Sequence, residues 1–175
     1  MHDRARRRLA LSATTLALTA GTLPARLLAQ DKGPPLPPVG APLVLPPVPM
    51  LDGTRFDPAG ADGRILVVYW WASWCPFCAQ QSPEMDKLWR ARGKQGLMML
   101  GLSIDKKPQA AIDYLKRKGY VFPSGWVDAD VARALPKPKG LPVTIVRGRD
   151  GRIIQAEQGQ MFPEDVELMG RWLDA

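Results

Sequence analysis

An α/β fold, a mixed central sheet flanked by helices, is what this sequence predicts, and three patterns carry the prediction. Two apolar runs, residues 65–71 and 97–104, are each followed by a segment with apolar residues at helical spacing, the alternation expected of strands linked by crossover helices. A third apolar stretch, residues 141–146, is separated by Asp150-Gly151 from residues 152–156, which reads as an antiparallel hairpin. Residues 164–173, with Val166, Leu168, Met169 and Trp172 apolar, close the chain as a helix.

The elements can be justified in order. Residues 1–29 begin with Arg4, Arg6, Arg7 and Arg8 and continue into an apolar run over residues 9–23, the layout of a bacterial signal segment and shorter than the roughly 20 residues a spanning helix needs. Arg6-Arg7-Arg8-Leu9 resembles a twin-arginine export motif, and a Sec signal shares the same layout. Cleavage after Ala29 and retention as an anchor both fit, so the expected location is the periplasm, soluble or tethered at the N-terminus to the inner membrane. Residues 30–49 hold Pro34, Pro35, Pro37, Pro38, Pro42, Pro46, Pro47 and Pro49. Proline removes donors and fixes φ, so this is an extended, stiff linker, either a stalk or an arm lying along the domain.

The domain itself is expected over residues 50–175, with a leading hairpin near residues 43–57 turned at Asp52-Gly53. The run at 65–71 reads as a strand buried on both faces. Residues 78–92 read as a helix with Met85, Leu88 and Trp89 on one face, and residues 109–118 as another with Ala111, Ile112 and Leu115 aligned.

The formal charge of +7 overstates how basic the working protein is. Residues 1–29 hold five arginines against Asp3, which leaves 19 basic and 16 acidic groups, a net of +3. No Lys/Arg stripe is interleaved with aromatics, so no nucleic-acid partner is expected. The one histidine, His2, lies in the leader. The domain therefore lacks an imidazole base and any Cys/His pair or zinc cluster. Two cysteines, three residues apart, are the only ones in the chain, so they act together or not at all.

Cys75 and Cys78 sit where a buried strand gives way to a helix. Free N–H groups and the positive dipole end of a helix N-terminus favour a thiolate. Cys75, at the helix mouth, is the expected nucleophile, and Cys78, one turn inward, the thiol that resolves a mixed disulfide. Two thiolates cannot complete a four-ligand zinc site, so no metal is expected, and the redox-active Cys75/Cys78 disulfide stands in place of any cofactor. Cu(I) carriage through the two soft thiolates, with Met85, Met98 and Met99 as candidate thioethers, is an alternative of another class. Ala72 stands where a peroxidatic cysteine would need a threonine three residues before it.

The segment Trp70-Trp71-Ala72-Ser73-Trp74-Cys75-Pro76-Phe77-Cys78 resembles the active-site segment of thioredoxin-like proteins and is similar, more narrowly, to the periplasmic TlpA/ResA-like branch. Pro83 falls where that family's first helix carries a proline. Gly140-Leu141-Pro142 resembles its cis-proline loop, and residues 149–153 its following hairpin turn. The resemblance covers about residues 43–174.

It implies a thioredoxin-like fold with an N-terminal hairpin extension, and an exported thiol–disulfide oxidoreductase whose partners are protein thiols and disulfides, with a membrane electron donor. Reduction of partners in cytochrome c or copper-site maturation is the leading expectation, and oxidase or isomerase work the alternative. It further implies that Trp74, Pro76, Phe77, Leu141 and Pro142 contact substrate, whereas Trp70 and Trp71 are expected to serve packing. Two departures bear on electron flow. Many reductive members carry Glu three residues after the second cysteine, where this chain has Gln81, and the buried Asp of thioredoxin corresponds to Tyr69. Neither replacement readily takes a proton at neutral pH. Lys137-Pro138-Lys139 is a solvated loop or a source of positive charge near Cys75.

Overall fold

The computed structural model describes residues 33–175; the expected leader lies outside them. A hairpin of β1 (Val48–Pro49) and β2 (Arg55–Phe56) comes first. Its turn is held by the Asp52 carboxylate, which accepts from the Thr54 amide at 2.9 Å and hydroxyl at 2.6 Å, with Gly53 at φ 87°. The remaining elements are β3 (Leu66–Trp71), α1 (Pro76–Arg92), β4 (Met98–Ser103), α2 (Pro108–Lys118), β5 (Ser124–Trp126), α3 (Ala129–Ala134), β6 (Val143–Arg147), β7 (Ile153–Gln158) and α4 (Pro163–Leu168). They form one mixed sheet in the order β5-β4-β3-β6-β7. β3 runs parallel to β4 and β4 to β5, whereas β6 is antiparallel to both β3 and β7.

β3 is the central strand, which explains its unbroken apolar run. Ile65, Val67, Tyr69 and Trp71 pack on one face with Met85 and Leu88 of α1, Ala111 and Tyr114 of α2, and Val166 of α4. Leu66, Val68 and Trp70 pack on the other with Leu43, Leu45, Val48 and Val131. The indole nitrogens of Trp70 and Trp71 are buried without a hydrogen-bond partner. Both rings therefore contribute by packing, which outweighs a desolvation cost of about 1–3 kcal/mol for each N–H. Gly101 of β4 makes room on the first face, because a Cβ there would sit 2.5 Å from Ser124 Oγ and 3.1 Å from Trp71 Nε1.

Residues 33–49 lie along the second face as an arm, one of the two arrangements expected of the proline-rich stretch. Prolines cannot donate, yet the residues between them can. Gly40 N donates to Ile153 O at 2.8 Å, Ile153 N to Ala41 O at 2.8 Å, and Leu43 N to Gly151 O at 3.0 Å. Leu43, Leu45 and Val48 of the arm are buried against Leu66, Val68 and Trp70, so apolar burial adds to those bonds.

Two elements went unread in the sequence. β5 is three residues long and contains Gly125, which shows no period; a Cβ at that position would meet Val48 Cγ1 at 2.5 Å. α3 has six residues and depends on its cap, the Asp128 carboxylate accepting from Asp130 N at 3.0 Å and Val131 N at 2.8 Å. α1 starts at Pro76 rather than at residue 78, and the closing helix is α-helical only to Leu168 before tightening to a 3-10 turn over Met169–Leu173. Leu168, expected on the apolar face, is 41% exposed. Among the described residues no helix is long and apolar enough to cross a membrane.

Candidate active site

The site forms where β3 ends and α1 begins. Cys75 is the N-cap of α1, with extended backbone at φ −84°, ψ 117°, and Pro76 follows at the first helical position, where a missing N–H costs nothing. The Cys78 amide donates to Cys75 Sγ at 3.2 Å, so the sulfur takes the place a capping oxygen usually holds. An N–H and the positive dipole end of the helix thus face this sulfur. Both cysteines are free thiols. Cys75 is only 4% exposed and Cys78 is fully buried, so the expected order of accessibility holds while the nucleophile lies deeper than expected. Trp74 at 64% and Phe77 at 55% exposure stand proud on either side of it.

Burial pushes the Cys78 thiol well above its usual range, and the neighbouring Cys75 sulfur pushes it the same way. Such a thiol stays protonated until a base or an altered environment draws the proton off. Tyr69 cannot be that base. Its own hydroxyl is driven well above 10 by burial, and it is engaged, donating to Cys78 O at 3.4 Å and sharing a hydrogen bond with Ser82 Oγ at 3.1 Å. Tyr69 therefore braces the backbone of the buried cysteine from β3.

Gln81 is buried at 1% exposure and cross-links three elements. Its Nε2 donates to Thr144 Oγ1 of β6 at 2.9 Å, and its Oε1 accepts from Met161 N at 2.8 Å. Thr144 lies two residues beyond Pro142, and the Leu141–Pro142 peptide is cis. Pro142 O accepts from Gly159 N at 2.9 Å. The Gln81 amide and the Gly159–Pro142 bond thus tie α1, the start of β6 and the segment before α4 together. The β3–β6 register pairs Trp70 with Val143, so continuing it sets Pro142 at the end of the sheet where the β3–α1 turn carries Cys75. Leu141 is half-buried and Pro142 buried. Lys137 Nζ donates to Pro138 O at 2.6 Å and Gly140 O at 2.8 Å. Its ammonium thereby secures the loop carbonyls.

Sequence reasoning missed Ser73, Ser103, Asp105 and Trp126. Asp105 is 3% exposed and collects hydrogen bonds from the two serines, while Trp126 Nε1 donates to its carbonyl at 2.8 Å. The signal available was two polar residues, Ser103 and Asp105, at the carboxyl end of an apolar parallel strand, the place where α/β sheets put their sites.

A family model described as Redoxin matches residues 32–170. Thiol-disulfide oxidoreductase ResA of Bacillus thuringiensis subsp. konkukian is 25% identical over 120 residues, 67% of this chain and 68% of that protein. Among solved structures, a thiol:disulfide interchange protein of the thioredoxin family from Chlorobium tepidum TLS superposes with a TM-score of 0.68 at 21% identity, covering 79% of this chain and 98% of that one. A secreted Mycobacterium tuberculosis disulfide oxidoreductase homologous to E. coli DsbE gives a TM-score of 0.63 at 19% identity, over 71% and 92% of the two chains. With the match spanning nearly all the described residues, the chain belongs to the Redoxin family, with the thioredoxin-like fold and the paired cysteines of a thiol–disulfide oxidoreductase.

Proposed function

We propose that this protein is exported by its leader and reduces disulfides in other proteins outside the cytoplasm, for instance partners in cytochrome c or copper-site maturation. The observation that carries the reading is the sulfur of Cys75 capping α1 beneath an amide from Cys78. Cys75 attacks a substrate disulfide as thiolate, forming a mixed disulfide and releasing one substrate thiol. Cys78 then attacks Cys75, which frees the second substrate thiol and leaves the Cys75/Cys78 disulfide. Two electrons have passed to the substrate, and a membrane electron donor returns the pair to dithiol. Trp74, Pro76 and Phe77, with the half-buried Leu141 before the buried Pro142, form the docking surface of this proposal. The redox-active pair is the only prosthetic chemistry it requires.

The direction of flow is tested by equilibrating the purified chain in glutathione or dithiothreitol buffers and reading the Cys75/Cys78 state. A reductant has a potential near thioredoxin's, about −270 mV, and an oxidant one near −120 mV. The first value is expected; the second would move the protein to the oxidase alternative. Cell fractionation tests export, and full-length chain found only in the cytoplasm would refute that part.

A further inference from the structure

We propose that Asp105 is a positioning residue for the oxidoreductase reaction: its buried carboxylate holds Ser73, and through Ser73 the short loop that presents Trp74 and Cys75. The proposal rests on the reading above and goes beyond it by assigning a residue outside the Cys-x-x-Cys helix and the cis-proline loop.

Ser73 is two residues before the nucleophile. Its hydroxyl donates to Asp105 Oδ1 at 2.7 Å, and its amide lies 3.1 Å from Oδ2 and 3.3 Å from Oδ1. Ser103 Oγ donates to Oδ2 at 2.8 Å while accepting from the Asp105 amide at 3.2 Å, which fixes the direction of its hydroxyl proton. Every group around the carboxylate is thus a donor, and only a group that accepts at both oxygens satisfies them all.

The carboxylate is also held from behind. Ile104 N donates to Trp71 O at 3.0 Å, Val127 N to Ser103 O at 2.9 Å, and Trp126 Nε1 to Asp105 O at 2.8 Å. The main chain of Asp105 is therefore fixed between β3 and β5 before its side chain reaches Ser73. The ends of the turn are held by the core, since Ala72 is buried and its carbonyl accepts from Cys75 N at 3.2 Å, while between them Trp74 is mostly solvent-exposed and Ser73 half-buried. A rigid acceptor facing the middle of this turn is an arrangement that sets the position of Ser73 and Trp74. Displacement of a reacting group by even about 1 Å can cost up to roughly 100-fold in rate.

Asparagine is the informative substitution. With its NH2 in place of Oδ2 the asparagine sets a donor against the Ser73 amide; with its NH2 in place of Oδ1 the Ser73 hydroxyl must turn from donating to accepting and the Ser73 amide loses one of its two acceptors, so in either orientation the charge-assisted hold on Ser73 is weakened. Ser73→Ala removes the hydroxyl contact alone, at a half-buried position, and keeps the proposal testable if Asp105→Asn folds poorly. The experiment uses the full chain and measures kcat/KM with a peptide disulfide, the rate of Cys75 alkylation by iodoacetamide, hydrogen exchange at the Ser73 amide, and the thermal midpoint.

Asp105→Asn is expected to lower kcat/KM about tenfold, to speed exchange at Ser73, and to change alkylation less than about twofold, because a small reagent does not need the docking loop. Ser73→Ala should move the same quantities in the same direction. The double variant should be no worse than Asp105→Asn alone, since both act through one contact.

Multiplying effects in the double variant, an equal loss of alkylation, or unchanged kcat/KM in both single variants would overturn the positioning role. If only the thermal midpoint falls while kcat/KM of the folded fraction holds, Asp105 is structural and the proposal is wrong. A wild-type chain inactive on every disulfide would instead overturn the oxidoreductase reading beneath it.

Discussion

Covalent complexes accumulate on the Cys78→Ser variant when it meets a disulfide-bearing partner, and none form on Cys75→Ser: this is the expected result for a nucleophile at Cys75 and a resolving thiol at Cys78. The argument is geometric. Cys75 carries the amide contact from the helix and borders the exposed Trp74 and Phe77, whereas Cys78 is fully buried, its thiol pushed up by desolvation. A buried protonated thiol does not start an exchange, but it can finish one once Cys75 is bonded to the substrate and its own sulfur is the target. Turnover in either variant should fall to background. Non-reducing electrophoresis and intact mass of the adducts provide the measurement. Equal trapping by the two variants would show that the assignment of roles is wrong.

The second large effect is expected at Gln81→Glu. The site tolerates the carboxylate sterically: Met161 N can still donate to it, and the Thr144 hydroxyl can turn from accepting to donating. Burial raises a carboxyl pKa because it disfavours the charged form. The new group should then titrate closer to neutrality than a free glutamate at about 4.3. Above its raised pKa it is a base on the helix turn that follows Cys78, and general-base help of up to about 10²-fold in the resolving step is expected there.

Wild type lacks this base, so its resolution rate should climb steadily with pH as the Cys78 proton becomes easier to lose. The variant's rate should reach a plateau earlier. Stability moves the other way. A carboxyl whose folded pKa is raised keeps its full stability below the unfolded value of about 4.3 and loses it as pH rises through the folded pKa, with roughly 1.4 kcal/mol at stake for every pH unit between the two values. The same sign holds for reduced wild type at alkaline pH, because Cys78 is raised: stability is retained below about 8.5 and lost above it. Stopped-flow resolution and thermal melts across pH measure both. Superimposable rate profiles would mean that another group already takes the Cys78 proton.

Much of the catalytic centre was legible because it is local. Cys75, Pro76 and Cys78 lie within one helical turn, and the apolar run before them names the strand that positions the turn. The exposure of Trp74 and Phe77 follows as well, since both sit at the turn between a buried strand and the first helical residues. Gln81 could be named from the resemblance, by its place three residues after Cys78. Its contacts could not, because Thr144 is 63 residues away and Met161 is 80. The same holds for Asp105, whose bond to Ser73 spans 32 residues and depends on β3 and β4 ending side by side with Trp71 opposite Ser103.

By itself, then, the sequence determined what depends on neighbours along the chain: the α/β order, the strands buried on both faces, the helix mouth and the two thiols placed on it. Only the tertiary structure decided which polar groups meet across elements, that Ser73 donates to Asp105, that Gln81 is a cross-link, and that the proline-rich stretch is an arm packed on the sheet. The physical reason is that periodicity and local spacing are short-range signals, while a buried hydrogen bond is specified by register between strands distant in the chain. A proline-rich segment shows the limit most directly: its composition prescribes extended backbone, and whether that backbone stands free or docks rests on Gly40, Ala41 and Leu43 finding partners at residues 151–153.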